Sequence, residues 1–209
     1  MRYKELTFEG RNAVLEAFRS GKTIDKLYIL DGCQDGPVKS IVREAKKTST
    51  IISYVEKERL DRLANTGHHQ GVVAIGAAYE YADVEDILEA ARSKGEDPFI
   101  FILDEIEDPH NLGAIIRTAN LAGAHGVIIP KRRAVGLTAT VAKTSAGAIN
   151  YTPVAKVTNI AATIESLKKE GLWFVCADMG GETMYNLNLK GPIGLVIGNE
   201  GNGVSRLVK

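Results

Sequence analysis

A strand that is apolar at every position cannot face water on either side, and residues 99–104 (FIFILD) form such a run. The same pattern returns at GVIIP (126–130), LWFVCA (172–177) and IGLVIG (193–198). Between these runs lie helical patterns. NLGAIIRTANLAG (111–123) ends at Gly123, and TNIAATIESLKKEG (158–171) lines Ile160, Ile164 and Leu167 along one side. Strand and helix alternating at this spacing predict a parallel sheet with helices on both faces. Ligands of such sheets bind beyond the carboxyl ends of the strands.

The first 78 residues alternate on a smaller scale. Ala13, Val14, Ala17 and Phe18 share a helical face. KLYIL (26–30), TIISYV (50–55) and GVVAIGAA (71–78) read as strands, and Val38, Ile41, Val42 and Ala45 follow Pro37 at helical spacing. The charge is zero overall but unevenly spread. Residues 1–78 carry 13 basic and 10 acidic side chains, residues 79–97 carry 2 and 7, and residues 98–209 carry 11 and 9. The acidic, helix-prone stretch ends in Gly95 and Pro98 and reads as a linker. The expected organisation is therefore a small α/β domain over 1–78, a linker over 79–97 and a parallel-sheet domain over 98–209.

Several classes are excluded. Charged residues at 25% and apolar residues at 44% argue against disorder. No apolar run approaches the roughly 18 residues of a membrane span, and the amino-terminal MRYKELTFEGRN lacks a secretory core. Cys33 and Cys176 stand far apart and read as reduced thiols of a cytoplasmic protein. Adjacent His68 and His69 point in different directions, so no metal site is expected.

The unusual residues gather where the apolar runs end. After FIFILD come Glu105, Asp108, Pro109, His110, Asn111, Gly113 and, two turns on, Arg117. Pro109 suggests a turn, with Asn111 as the helix cap. A capped helix with a solvated arginine would account for this segment alone. After IGLVIG come Gly198, Asn199, Glu200, Gly201, Asn202 and Gly203. The G-x-x-G-x-G spacing matches neither the dinucleotide loop nor the phosphate-binding loop. A tight turn would explain the glycines but not a carboxylate set between two of them. Lys131, Arg132 and Arg133 come directly after GVIIP and read as a solvated loop or a phosphate contact.

Taken together, DPHNLGAIIRTANLAGAHGVIIP, KTSAGAINYTPVAKVTN and GLVIGNEGNGVS resemble the conserved segments of SpoU (TrmH-type) ribose methyltransferases of the SPOUT superfamily. Within that family the likeness is greatest to the group that 2′-O-methylates a guanosine of large-subunit ribosomal RNA. GRNAVLEAF and HHQGVVA resemble that group's ribosomal-protein-like substrate-binding domain. The resemblance implies a trefoil-knotted catalytic sheet, a homodimer, S-adenosylmethionine as methyl donor, no metal and an RNA partner. It casts Asn111, Arg117 and Glu200 as catalytic. It places Gly198, Asn199, Gly201 and Ala177 at the donor, and Lys131, Arg132 and Arg133 at the RNA. Few aromatics (6%) argue against a broad stacking platform. The family continues past the glycine-rich loop with a further strand and a third motif, so about 40 more residues, completing the knot, are expected beyond Lys209.

The implied chemistry needs a ribose hydroxyl aligned with the donor methyl and a route for its proton. A guanidinium almost never deprotonates, so Arg117 fits a bidentate clamp on the target phosphate better than a general base. Asn111 would hold the hydroxyl or orient Arg117, and Glu200 would pair with Arg117 or fix its loop. A non-catalytic RNA-binding protein of the same fold and a transfer RNA ribose methyltransferase are the alternatives.

Overall fold

The computed structural model describes residues 6–209, so residues 1–5 of the amino-terminal segment read above lie outside the described residues. The chain divides into two compact units, Met1–Glu80 and Tyr81–Lys209.

The first unit runs β1 (Leu6–Glu9), α1 (Arg11–Arg19), β2 (Ile24–Leu30), α2 (Gly36–Lys47), β3 (Ile51–Val55), α3 (Lys57–Leu63) and β4 (Val72–Gly76). Its sheet has the order β1-β4-β2-β3. Only β2 and β3 pair in parallel, while β4 runs antiparallel to both β1 and β2. Asp35 caps α2 by accepting from the Val38 amide at 3.1 Å, with proline in the first turn, as Pro37 suggested. Val14, Phe18 and Ile41 from α1 and α2 bury one sheet face together with Leu27 and Ile29. Leu60 of α3 covers Tyr28 and Val73 on the other.

The second unit runs α4 (Val84–Lys94), β5 (Phe99–Leu103), α5 (Pro109–Leu121), β6 (Gly126–Pro130), α6 (Ala139–Thr144), β7 (Val154–Val157), α7 (Ile160–Lys169), β8 (Trp173–Ala177) and β9 (Ile193–Ile197). All four ladders are parallel, in the order β7-β6-β5-β9-β8. Ile100, Ile102 and Ile128 pack against Ile87 and Leu88 of α4 and Ile160, Ile164 and Leu167 of α7. Alternation sends Phe101, Leu103, Val127 and Ile129 to the opposite face, where α5 and α6 bury Leu112, Ile116 and Val141.

The acidic stretch 79–97 is not a linker. Glu85, Asp86, Glu89, Arg92 and Lys94 lie exposed on α4, while Ile87 and Leu88 are buried in the second unit's core and Ala91 is buried beside them on the helix. The helical character was legible, but net charge and the flanking Gly95 and Pro98 hid that its apolar stripe packs into a core. Gly95 is the left-handed cap that ends this helix.

The strand order also fixes where a ligand can enter. From β5 the chain moves outward through β6 to β7, then returns on the far side through β8 to β9. The direction of winding therefore reverses between β5 and β9. Loops leaving the carboxyl ends of these two neighbours diverge and open a crevice there.

Candidate active site

The loops leaving β5 and β9 build the crevice. Asp104, directly after β5, is buried, and its Oδ2 accepts from the Ser205 amide at 2.7 Å. The Asp104 amide in turn donates to Ile197 at the end of β9, 2.8 Å away. These bonds fasten the two strand ends to one another and to the chain just past the glycine-rich loop.

That loop closes on itself. The Asn199 amide donates to the Gly203 carbonyl at 3.0 Å, and the Gly203 amide returns a bond of 2.8 Å. Inside it, Asn199 Oδ1 accepts from the amides of Gly201 (2.9 Å) and Asn202 (3.3 Å). Asn199 Nδ2 donates to the Glu105 carbonyl at 3.0 Å, tying the loop to the segment after β5. The Asn199 side chain is thus occupied in holding the loop, and Glu200 is left exposed at its apex.

The glycines differ in why they must be glycine. A Cβ on Gly198 would lie 2.1 Å from the Gly203 carbonyl carbon and the Val204 amide nitrogen, so close backbone passage requires its bare Cα. Gly203 has a left-handed φ of 65°. A Cβ on Gly201 would meet nothing nearer than Asn199 Oδ1 at 3.5 Å, and its φ is not left-handed. Neither crowding nor strain accounts for Gly201. Gly113 belongs to the crowded kind: its Cβ would fall 1.8 Å from Thr144 Oγ1 and 2.9 Å from the Val141 carbonyl. It lets α5 and α6 touch.

Helix α5 begins earlier than Asn111. Asp108 is the cap, its carboxylate accepting from the His110 amide at 2.8 Å, and Pro109 opens the first turn. Proline is favoured there because that position has no intrahelical acceptor for an amide hydrogen. The expectation that Asn111 caps the helix is therefore corrected. Freed from capping, Asn111 donates its Nδ2 to Glu200 Oε2 at 3.3 Å, across 89 residues of sequence.

Arg117 does not join this contact. Six residues beyond Asn111 it lies about 9 Å further along α5 and roughly a third of a turn around the axis. It is exposed, and among the described residues no acceptor pairs with it. Ala177 ends β8 opposite Ile197, exposed and beside the same strand end as Gly198.

The basic loop after β6 does reach the crevice. Arg133 Nη1 donates to Glu105 Oε1 at 2.7 Å, and the Val135 amide donates to Ile106 at 3.0 Å. The Glu105 carboxylate holds the Arg133 guanidinium above its ordinary range. Glu105 and Arg133 both carry left-handed φ values, 59° and 54°, unusual for residues with side chains. Lys131 and Arg132 form no ion pair among the described residues. Sequence reasoning missed Asp104 and Glu105 as parts of the site. The available signal was two acids directly at the end of a strand buried on both faces.

Among the described residues no group of three or more His, Cys, Asp or Glu could hold a metal ion. His69 is committed inside the first unit, with Nε2 2.9 Å from Asp61 and Nδ1 accepting from the Gly71 amide. Neither cysteine is disulfide-bonded. No helix among the described residues is long and apolar enough to cross a membrane.

Comparison with known proteins bears on this site. The profile of the SpoU rRNA methylase family matches residues 98–209, and that described as RNA 2′-O ribose methyltransferase substrate binding matches residues 8–82. A Bacillus subtilis protein bearing the name of a TrmH family tRNA/rRNA methyltransferase, YacO, is 51% identical over 201 residues, covering 96% of this chain and 80% of that protein. A Staphylococcus haemolyticus protein named for the same family is 47% identical over 207 residues, covering 99% and 83%. Among solved structures, the SpoU methyltransferase AviRb of Streptomyces viridochromogenes, in complex with AdoMet, has a TM-score of 0.56 at 22% identity, covering 97% of this chain and 76% of that one. An rRNA methyltransferase of Sinorhizobium meliloti gives 0.54 at 23%, covering 99% and 75%. These two likenesses concern the fold.

Proposed function

This chain belongs to the SpoU methyltransferase family, and from that premise we propose that it transfers a methyl group from S-adenosylmethionine to a ribose 2′-hydroxyl of RNA, a guanosine of large-subunit ribosomal RNA, in the cytoplasm and as a homodimer. The observation that carries this reading is the 3.3 Å bond from Asn111 Nδ2 to Glu200 Oε2. It joins the two motif segments at the point where the parallel sheet opens. Relatives named for both tRNA and rRNA make a transfer RNA ribose the alternative target.

The residues present fit such a donor. Gly201 offers bare backbone that neither crowding nor strain demands, beside the exposed carboxylate of Glu200. Gly198 and Ala177 border the same opening at the ends of β9 and β8, and Asn199 keeps the loop in shape. When bound, the donor supplies an electrophilic methyl on a sulfonium sulfur, so the transfer needs no metal to activate a leaving group.

The protein's part is alignment: the hydroxyl oxygen takes the methyl as the carbon–sulfur bond breaks, and the hydroxyl's proton passes to solvent. Arg117, exposed and free of carboxylates, clamps the target phosphate through its two-pronged guanidinium. Asn111 sits where it can hold the attacking hydroxyl, and Glu200 fixes the Asn111 amide. Holding reactants in line supplies several kcal/mol of barrier reduction. Lys131 and Arg132 add contacts to the RNA backbone, and the first unit holds the rest of the substrate.

The test is methyl incorporation from labelled donor into unmodified ribosomal and transfer RNA transcripts. Resistance of the modified linkage to alkali reports methylation of the 2′-oxygen rather than a base. Arg117→Ala should abolish transfer while donor affinity, measured calorimetrically, stays within about twofold. Equal activity in the variant would remove Arg117 from the mechanism.

A further inference from the structure

The first unit carries a groove of about 680 Å³ between α2 and the edge strand β3. Its cationic lining comes from Lys39, Arg43, Lys46 and Lys47, and Tyr54 closes one side. No carboxylate lines it. Lys39, Arg43 and Lys46 are spaced at i, i+4 and i+7, so they stand in one row on α2 over about 10 Å. Glu44 neutralises only part of this charge. It binds Lys47 at 2.9 Å and lies 3.8 Å from Arg43, while Lys39 and Lys46 have no ion-pair partner among the described residues.

Tyr54 is placed by the strand. Two residues earlier on the same face, Ile52 packs onto the core beneath α1 and α2. Tyr54 therefore stands beside α2, but it is 54% exposed because β3 is the sheet's edge. An exposed tyrosine ring next to a row of cations, two of the three without an ion-pair partner among the described residues, satisfies no packing need of the fold. A row of cations tracks a phosphate backbone, and an open ring stacks an unpaired base.

We infer that this groove binds a single-stranded RNA segment, with phosphates along Lys39, Arg43 and Lys46 and one base stacked on Tyr54. The inference rests on the reading of the chain as an RNA-modifying enzyme and places part of its substrate on the first unit. A duplex would present its bases edge-on within the helix and gain nothing from the tyrosine.

The test uses the full chain with a fluorescein-labelled 12-residue oligouridylate and a 12-base-pair RNA duplex, read by anisotropy across a salt series. K39Q/R43Q/K46Q should weaken oligouridylate binding at least tenfold at low salt and flatten the log–log salt slope by about 2. Tyr54→Leu should cost about tenfold and Tyr54→Phe little, because the stacking face is kept. Duplex binding should not respond to Tyr54→Leu. Single K39Q and K46Q variants serve if the triple variant melts early. Unchanged affinity and slope in the lysine variants, no oligouridylate binding by the parent, or equal competition by polyglutamate, which would mark a site for acidic protein, overturns the inference. Methyl incorporation is assayed in parallel. If the parent methylates RNA but the groove variants bind it unchanged, only the groove fails. If the parent methylates nothing yet the variants lose binding, only the enzymatic reading fails.

Discussion

The two sheets put their chemistry in different places. In the second unit five strands all point one way, so every carboxyl end lies on one side and the loops after β5, β6 and β9 can meet. In the first unit only β4 runs against the others, so the loops after β1 and β2 and the one before β4 also meet at one end, where Arg11 pairs with Asp35 and its amide donates to Gln70 Oε1 at 3.2 Å. Those side chains bond one another, and the cationic groove lies elsewhere, between a helix and an edge strand. What separates the two ends is pairing: Arg11 is tied to Asp35, whereas Arg117 has no acceptor among the described residues.

The largest effect that would sharpen this contrast is expected at the end of β9. Gly198→Ala forces a methyl into the backbone of residues 203 and 204. Methyl transfer should fall by about a thousandfold. The clash should cost about 3 kcal/mol, lowering Tm by about 6–12 °C. Gly201→Ala, with open space around it, should leave Tm within about 1 °C yet still weaken donor binding in a calorimetric titration. If both variants melt alike, the glycines share one structural reason and Gly201 loses its claim to face the donor.

Next is Asn111→Ala, which removes the bond to Glu200 without disturbing the Asp108 cap. We expect kcat to drop about a hundredfold with Tm nearly unchanged, since the contact is exposed. A drop in stability with intact kcat would make the Asn111–Glu200 bond a strut rather than part of the chemistry.

Legibility in the sequence divides along the same line. The second sheet was legible because burial on both faces writes itself as unbroken apolar runs, and β6 occupies the GVIIP segment read from them. Strand β7 was missed: four residues, one of them Lys156, leave no such run. In the first unit β1 was missed for the same reason, and strand direction was invisible because alternation does not encode it. At the site, residue types and their order were readable. The helix cap was not, because two nearby candidates, Asp108 and Asn111, compete for one role and Pro109 suits the first turn as well as a break. Nor could spacing show that Arg117 and Asn111 lie about a third of a turn apart around α5.

Close contacts in the two units differ as well. A Cβ on Gly113 would strike the neighbouring helix at 1.8 Å from Thr144 Oγ1, whereas one on Gly76 of β4 would meet Phe8 and Leu6 at 3.0 and 3.1 Å. Gly113→Ala should cost about 2 kcal/mol, or about 4–8 °C in Tm. Gly76→Ala should cost under about 1 kcal/mol, because the Phe8 ring can give way. Equal melting of the two would mean that the α5–α6 contact is no tighter than the cross-strand contact of β1 with β4.

The smallest effect separates three neighbours in the loop after β6. Lys131 and Arg132 carry charges that no described carboxylate offsets, while Arg133 is held by Glu105 at 2.7 Å. Each free cation that touches a phosphate releases about one counterion on binding, so Lys131→Gln or Arg132→Gln should flatten the salt slope for RNA by about 0.7–0.9 and cost about threefold in affinity. Arg133 must first give up Glu105 to contact a phosphate, and its exposed pair is worth little either way. Arg133→Gln should therefore move the slope by less than half as much, while releasing Glu105 and the segment whose carbonyl receives Asn199. Its signature should be a lower kcat rather than weaker RNA binding. Three identical salt slopes would show that the loop acts as a diffuse patch. The crevice at the parallel strand ends would then extend no further than β5 and β9.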